Sequence, residues 1–500
     1  MDAVNALGLS VATPEVTGSV GLASAYPVTE LAARSVGASG AAVAELLVAL
    51  GHVEPRVTVR RELAEAWFRS AIVPEGWTPP PAWDALAGDY RARDGWLRLH
   101  TNAPHHRAAA LRALGLGEPA ADRDGEGAVE SALRAEVERR VAARDAGATE
   151  SAVVAEGGAA AELRTAAEWA AHPQGIAVAG EPLVARLDAP PPGSSPPSST
   201  ASRWVPTPAR PLAGLRVLDL TRVLAGPTAT QLLAGLGAEV LRLDPPDWDE
   251  PGVLPIVMSG KRTARLDART PTGAARLREL LAGADVLVHG LRPGALDGLG
   301  LDLVTRHRLR PGLVEVQLDA YGFTGPWAGR RGFDSLVQLS TGIADTGMRD
   351  ADAERPVPLP VQALDFATGY LAAAAALAGL ADRARASEGR HASEPSNAGS
   401  LRRLSLARTA HELERMRTAA PASESASVSA SASASASASS AASASSAASG
   451  VASADLPNTS VATGWGPARR VAPPLEIDGV TFDWPVEAGP LGRHSARWSS

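Results

Sequence analysis

Between residues 211 and 316, short apolar runs alternate with helical stretches, and this alternation constrains the fold more than any other feature of the chain. Leu215 to Leu220 reads as a strand. Gly226-Pro227 opens a helix through Leu232, Leu233 and Leu236 that stops at Gly237, and Val240 to Leu243 is the next strand. Thr263 to Asp267 is a third. Thr270 caps a helix with Pro271 in its first turn and Leu277, Leu280 and Leu281 on its apolar face. Val286 to Val288, a helix over 295–308 and Leu313 to Val316 continue the pattern. Strands separated by helices of this length require parallel crossovers. The expected fold class is α/β: a large domain with an open, doubly wound, Rossmann-like parallel sheet. Ligands bind such sheets at the carboxyl ends of their strands.

The rest of the chain divides around this block. Residues 1–187 read as a small α+β domain. In it Asp94-Gly95 opens the alternating strand Trp96 to His100, Thr101 or Asn102 caps a helix from near Pro104 to Gly115, and residues 148–172 carry two short helices. Residues 188–210 form a Pro-rich linker, with seven prolines from Pro190 to Pro208. The large domain is expected over 211–415. Residues 416–456 are expected to be a disordered linker, because 429–449 hold only Ser and Ala and have too little bulk to bury. Residues 457–500, with Ile477, Phe482 and Trp484, read as a tail docked on a folded domain.

Composition excludes several chemistries. The chain has no cysteine, which removes thiolate nucleophiles, disulfides and Cys-type metal sites. A net charge of −7 argues against non-specific nucleic-acid binding. The longest apolar run, Phe366 to Ala381, is shorter than the roughly 20 residues of a membrane span. The N-terminus reads as no signal peptide, so a cytoplasmic protein without membrane association is expected. Dinucleotide and P-loop fingerprints and GxSxG and HExxH motifs are missing. No metal is expected: adjacent His105 and His106 diverge by about 100° on a helix. Of 48 basic residues only Lys261 is lysine. A GC-rich codon bias accounts for the excess of arginine, but not for why one lysine remains.

Two sites carry chemistry. At Arg222 to Pro227, small residues bring a helix N-terminus and its free amides close to a ligand, or else only pack helix on sheet. Asp365 precedes a helix that is apolar all round to Ala381; it is either an N-cap or a carboxylate poised for reaction.

Residues 211–390 resemble the family III CoA-transferases, the group of formyl-CoA transferase and carnitine CoA-transferase. The resemblance is carried, in order, by Pro211 to Asp219, Arg222 to Pro227, Leu236 to Val240, Lys261-Arg262 and Arg292-Pro293-Gly294. It continues through Tyr321 to Pro326, Gly332-Phe333-Asp334 with Gln338 and Gly342, and Asp365 with Gly369. It implies a CoA-transferase that moves CoA between an acyl-CoA thioester and a carboxylic acid. Acyl-CoA would be the substrate, with no permanently bound cofactor, and Asp365 would be the catalytic nucleophile through an anhydride and an aspartyl thioester. It also implies CoA or substrate contacts at Val223, Leu224, Ala225, Arg242, Lys261, Arg262, Gly290, Arg292 and Phe333, and a homodimer of interlaced chains. For Arg242, Lys261 and Arg262 a plain solvated charge remains an equal reading.

Four departures bear on activity. Phe333 stands where relatives commonly have Tyr, and His289-Gly290 where they commonly have Glu-Asn. The related α-methylacyl-CoA racemases place a His at the Phe333 position, and phenylalanine cannot move a proton, which argues against racemisation. The segments resembling the family's small domain, Asp94-Gly95-Trp96 and Arg164 to Trp169, precede the large domain instead of following its first half. No glycine-rich active-site loop is evident. A degenerate member that binds CoA or only dimerises is therefore the second reading.

Overall fold

A computed structural model describes residues 2–19, 21–119, 126–189, 204–386, 399–419 and 456–499. The Ser/Ala tract 429–449 lies outside the described residues.

The central sheet has seven strands: β1 (Ala185–Asp188), β2 (Arg216–Leu220), β3 (Glu239–Asp244), β4 (Lys261–Arg265), β5 (Val286–His289), β6 (Val314–Asp319) and β7 (Ser400–Ser405). Their spatial order is β4-β3-β2-β5-β6-β7-β1. Every pairing is parallel except that of β1 with β7. The sheet is thus the expected doubly wound one, extended by two strands, β7 and β1, beyond the alternating block. The order reverses beside β2, which lies between β3 and β5, so the loop leaving β2 sits at the topological switch point.

Three helices pack at the centre: α1 (Val28–Ala49), α2 (Ala225–Gly235) and α4 (Ala363–Arg385), with α3 (Asp334–Ser340) preceding α4 in the chain. Helix α4 is built largely from alanine, the strongest helix former, and small side chains let its neighbours approach closely. A Cβ on Gly369 would lie 2.4 Å from the Ala225 carbonyl oxygen and 2.8 Å from Thr228 Cβ, so glycine is what seats α4 on α2. On its other side α4 packs on α1, and Ser39 Oγ donates to the Tyr370 carbonyl (2.8 Å). Both α1 and α4 are long and apolar enough to cross a membrane, and both are buried inside the fold.

The first 187 residues do not pack as one unit. Residues of α1 and its neighbours, such as Leu31, Val59 and Phe68, share the large core with α4, because α1 has no apolar partner in the antiparallel sheet. A separate core of Leu86, Tyr90, Leu97, Leu111 and Val141 belongs to that sheet, formed by Gly88–Arg91, Trp96–Leu99 and Ala160–Glu162. Its last strand rests on α3 through Ala159, Ala161, Leu336 and Leu339. Trp96–Leu99 and the helix Pro104–Ala113 lie where the residue pattern puts them, although Ala103 rather than Thr101 or Asn102 is the N-cap. The expected helix over 295–308 is split into a 3-10 turn at Asp297–Leu299 and a helix at Leu303–Leu309, with left-handed Gly300 between them.

The C-terminal segment docks. Leu475–Ile477 pairs with Val57–Arg60, and Trp484 is buried against Trp67 with ring centroids 5.4 Å apart.

Candidate active site

Asp365 is the third residue of α4, in the first turn at the positive end of the helix dipole. It is 7% exposed, and its carboxylate accepts no hydrogen bond among the described residues. Below it lies Asp334, the first residue of α3, whose carboxylate accepts the Asp365 backbone N–H (2.9 Å) and a bond from Gln338 Nε2. Gln338 in turn accepts the Leu359 N–H (2.7 Å). Burial pushes Asp334 up to about 6, although the donated N–H groups pull it down. Burial and the neighbouring Asp334 charge raise Asp365 well above the usual carboxylate range. Asp334, with its donors, is the better-stabilised anion of the two, and Asp365 holds its proton more tightly.

Val223 stands at the switch point with φ +64°, one of two non-glycine residues with positive φ among the described residues. A β-branched residue there is strained, and such strain concentrates at functional sites. Its N–H donates to Glu250 Oε2 (3.0 Å). Glu250 also receives the Trp248 indole N–H (3.1 Å), and Arg242 pairs with it at 2.5 Å.

A cleft of about 230 Å³ opens beside these groups. Val223, Trp248 and Glu250 line one side; Trp83, His100 and Phe333 line the other. Phe333 is the N-cap residue of α3, immediately before Asp334. The cleft thus lies between the carboxyl ends of the central strands and the antiparallel sheet.

The structure brings together Val223, Phe333 and, one residue from Phe333, the Asp334–Asp365 pair. Asp365 and Leu224 do not themselves line the cleft, a correction to the expected pocket wall of Asp365, Val223, Leu224 and Phe333. Ala225 begins α2 and packs against α4 at Gly369.

The basic candidates are corrected more sharply. Arg242 is wholly buried and bonded to Asp244 at 2.9 and 3.0 Å as well as to Glu250, so no guanidinium face is left for a phosphate. Lys261 is also wholly buried. Its ammonium reaches across β3 to Asp219 (3.3 Å) and donates to the Pro227 carbonyl oxygen (2.6 Å), and burial brings its pKa down to about 8. This explains the single lysine, since the site takes a compact ammonium at the start of α2 rather than a guanidinium fork. Arg262 binds Glu239 (2.8 Å) and the Arg497 carbonyl (2.8 Å), tying the C-terminal segment to the sheet. Gly290 and Arg292 follow β5 on an exposed loop outside the cleft.

The residue pattern missed His100, Trp83, Trp248, Glu250 and the role of Asp334. His100 ends an alternating strand and carried no motif. Asp334 sat in the Gly332-Phe333-Asp334 stretch, and its spacing to Gln338 was the one available signal.

Residues 63–210 and 212–434 match the family model described as CoA-transferase family III. The chain belongs to CoA-transferase family III. Among its curated relatives, the succinyl-CoA:glutarate CoA-transferase of Mus musculus is 36% identical over 194 residues, 36% of this chain and 44% of that one. The succinyl-CoA–D-citramalate CoA-transferase of Chloroflexus aurantiacus is 34% identical over 196 residues, 36% of this chain and 48% of its own. A crystal structure of a hypothetical protein from Mycobacterium tuberculosis is 31% identical with a TM-score of 0.38, covering 42% of this chain and 59% of that one. The chain spans less than half the length of these two curated family III relatives.

Proposed function

We propose that this family III member transfers CoA between an acyl-CoA thioester and a carboxylic acid, with Asp365 as the acyl-accepting nucleophile. The observation that carries the reading is a buried carboxylate free of hydrogen bonds in the first turn of α4, behind a cleft at the sheet's switch point. Moving CoA between two acids needs a nucleophile that is itself a carboxylate. A carboxylate oxygen of ionised Asp365 attacks the thioester carbonyl; the C–S bond breaks and CoA leaves as thiolate, forming a mixed anhydride. The thiolate then attacks the aspartyl carbonyl and expels the donor acid as a carboxylate. The acceptor carboxylate displaces the thiolate from the aspartyl thioester, and the thiolate attacks the acceptor acyl carbon of the new anhydride. A new acyl-CoA leaves and the Asp365 carboxylate is restored. Acyl activation is conserved at each step, so no nucleotide is consumed.

Desolvation and the helix terminus divide the work. Burial raises the free energy of the Asp365 anion and sharpens it as a nucleophile. The α4 dipole favours negative charge in the same turn, while the Leu364 and Asp365 amides are spent on Asp334. CoA contacts are assigned to Val223, Leu224 and Ala225 at the switch point, and to exposed Arg292. The setting is a cytoplasmic homodimer.

Phe333 and Gly290, with Arg242 and Lys261 consumed by internal pairs, favour the second reading, a CoA-binding member without turnover. The two separate in one assay. Acetyl-CoA or succinyl-CoA is incubated with a panel of carboxylic acids, and new acyl-CoA species are identified by mass. Transfer that requires both partners supports the proposal; bound CoA with no new thioester from any pair supports the second reading.

A further inference from the structure

The cleft holds one polar ring that the family resemblance did not call for. His100 follows the strand Trp96–Leu99, and its backbone N–H is held by the Ala159 carbonyl (3.0 Å). Its side chain lines the cleft and is 5% exposed. The imidazole lies flat on Phe333, with centroids 3.6 Å apart and planes at 7°, while Trp83 meets it edge-on at 5.7 Å. These contacts leave the ring little freedom to turn.

His100 Nδ1 is buried with no hydrogen-bond partner among the described residues. An unsatisfied buried nitrogen costs about 1–3 kcal/mol. Folded proteins leave few such groups, and each calls for an explanation such as a catalytic role or a bound water or ligand. Burial, reinforced by the Arg98 charge, holds the His100 pKa well below its ordinary value. The ring is therefore neutral at pH 7, with one N–H donor and one lone pair. His106, with its ring centroid 6.5 Å away, is pushed down to about 3 chiefly by burial and is neutral too. The cleft wall also carries Asp84, Asp249 and Glu250, so an uncharged acceptor suits this donor better than an anion.

We propose that His100 is a substrate-binding residue that donates a hydrogen bond to the carbonyl oxygen of the acyl-CoA thioester. This deepens the transferase reading and rests on it: the antiparallel sheet supplies from above the polar contact that Phe333 cannot make. A donor at that oxygen binds the thioester. It also strengthens as negative charge develops there during attack by Asp365.

Two measurements test this, one of them independent of turnover. His100→Phe keeps the stack on Phe333 and removes both ring nitrogens, and His100→Gln restores an N–H donor. With acetyl-CoA and succinate as substrates, His100→Phe is expected to lose at least tenfold in kcat/KM for acetyl-CoA, with a Tm within a few degrees of wild type. His100→Gln should recover part of the loss. In the second measurement, the imidazole ¹⁵N resonances of the Asp365→Asn protein are followed while acetyl-CoA is added, so that binding occurs without reaction. One His100 nitrogen should shift with acetyl-CoA and stay unmoved with succinate alone. Unchanged kinetics in His100→Phe, or His100 nitrogens indifferent to acetyl-CoA, would overturn the proposal. A shift with succinate alone would overturn the assignment to the thioester. A wild type that binds acetyl-CoA and transfers nothing defeats the transferase reading instead, and the nitrogen titration still decides what His100 binds.

Discussion

Asp365 and Asp334 show how two carboxyls of one type take different roles. Asp334 sits under backbone and amide donors and is pushed only to about 6, whereas Asp365 has burial and a neighbouring anion against it and no side-chain bond in its favour. Reaction requires ionised Asp365, so kcat/KM should rise with pH through an apparent pKa above the ordinary aspartate range. Asp334→Asn removes the repelling charge and should move that limb to lower pH; a pH–rate profile that stays in place would exclude the coupling. Stability carries the opposite sign. A carboxyl whose folded pKa is raised binds its proton more tightly when folded, so stability falls as pH rises from the unfolded pKa towards the folded one. Asp365→Asn should therefore melt at or above the wild-type temperature at pH 7, with the gain shrinking as pH falls and gone only below the ordinary aspartate pKa of about 3.9. Of this pair only Asp365 was legible in the sequence, because it precedes a long apolar run. Asp334 meets it through the backbone N–H 31 residues away, and no periodicity encodes such a contact.

Helices and strands of the central sheet were legible where pattern and burial coincide. β2 to β6 lie in apolar runs between helices, and each appears within three residues of its expected limits. β7 and β1 were not read, because β7 comes after α3 and α4 and β1 comes before the Pro-rich segment, and the place of each is decided by pairing alone. The seat of α4 on α2 is also non-local, yet it has a local trace in Gly369. Adding even one methyl there forces a backbone to move. Gly369→Ala should cost about 1–3 kcal/mol, the usual range for overpacking, despite the better helix propensity of alanine. Urea denaturation measures this; a variant as stable as wild type would show that α4 is not held at this contact.

At the scale of the whole molecule, both ends of the chain complete one core. α1 from the N-terminal part covers α4, and Trp484 from the C-terminal segment covers α2, donating its indole N–H to the Gln231 carbonyl (2.8 Å). Trp484→Ala should destabilise the whole core by about 3–5 kcal/mol as a single transition, read by denaturant unfolding. The reading of residues 1–187 as one domain failed because an all-apolar helix such as α1 says that it is buried but not against what. Sedimentation at micromolar concentration should give a dimer, and a monomer there would count against the proposed assembly. The central claim, that Asp365 carries the acyl group, is tested most directly by the mass of the intact protein after incubation with acetyl-CoA. Wild type should gain an acyl or CoA adduct that localises to the Asp365 peptide and is released by hydroxylamine, and Asp365→Asn should gain none. No adduct on wild type with any acyl-CoA, or an adduct that persists in Asp365→Asn, would contradict the account.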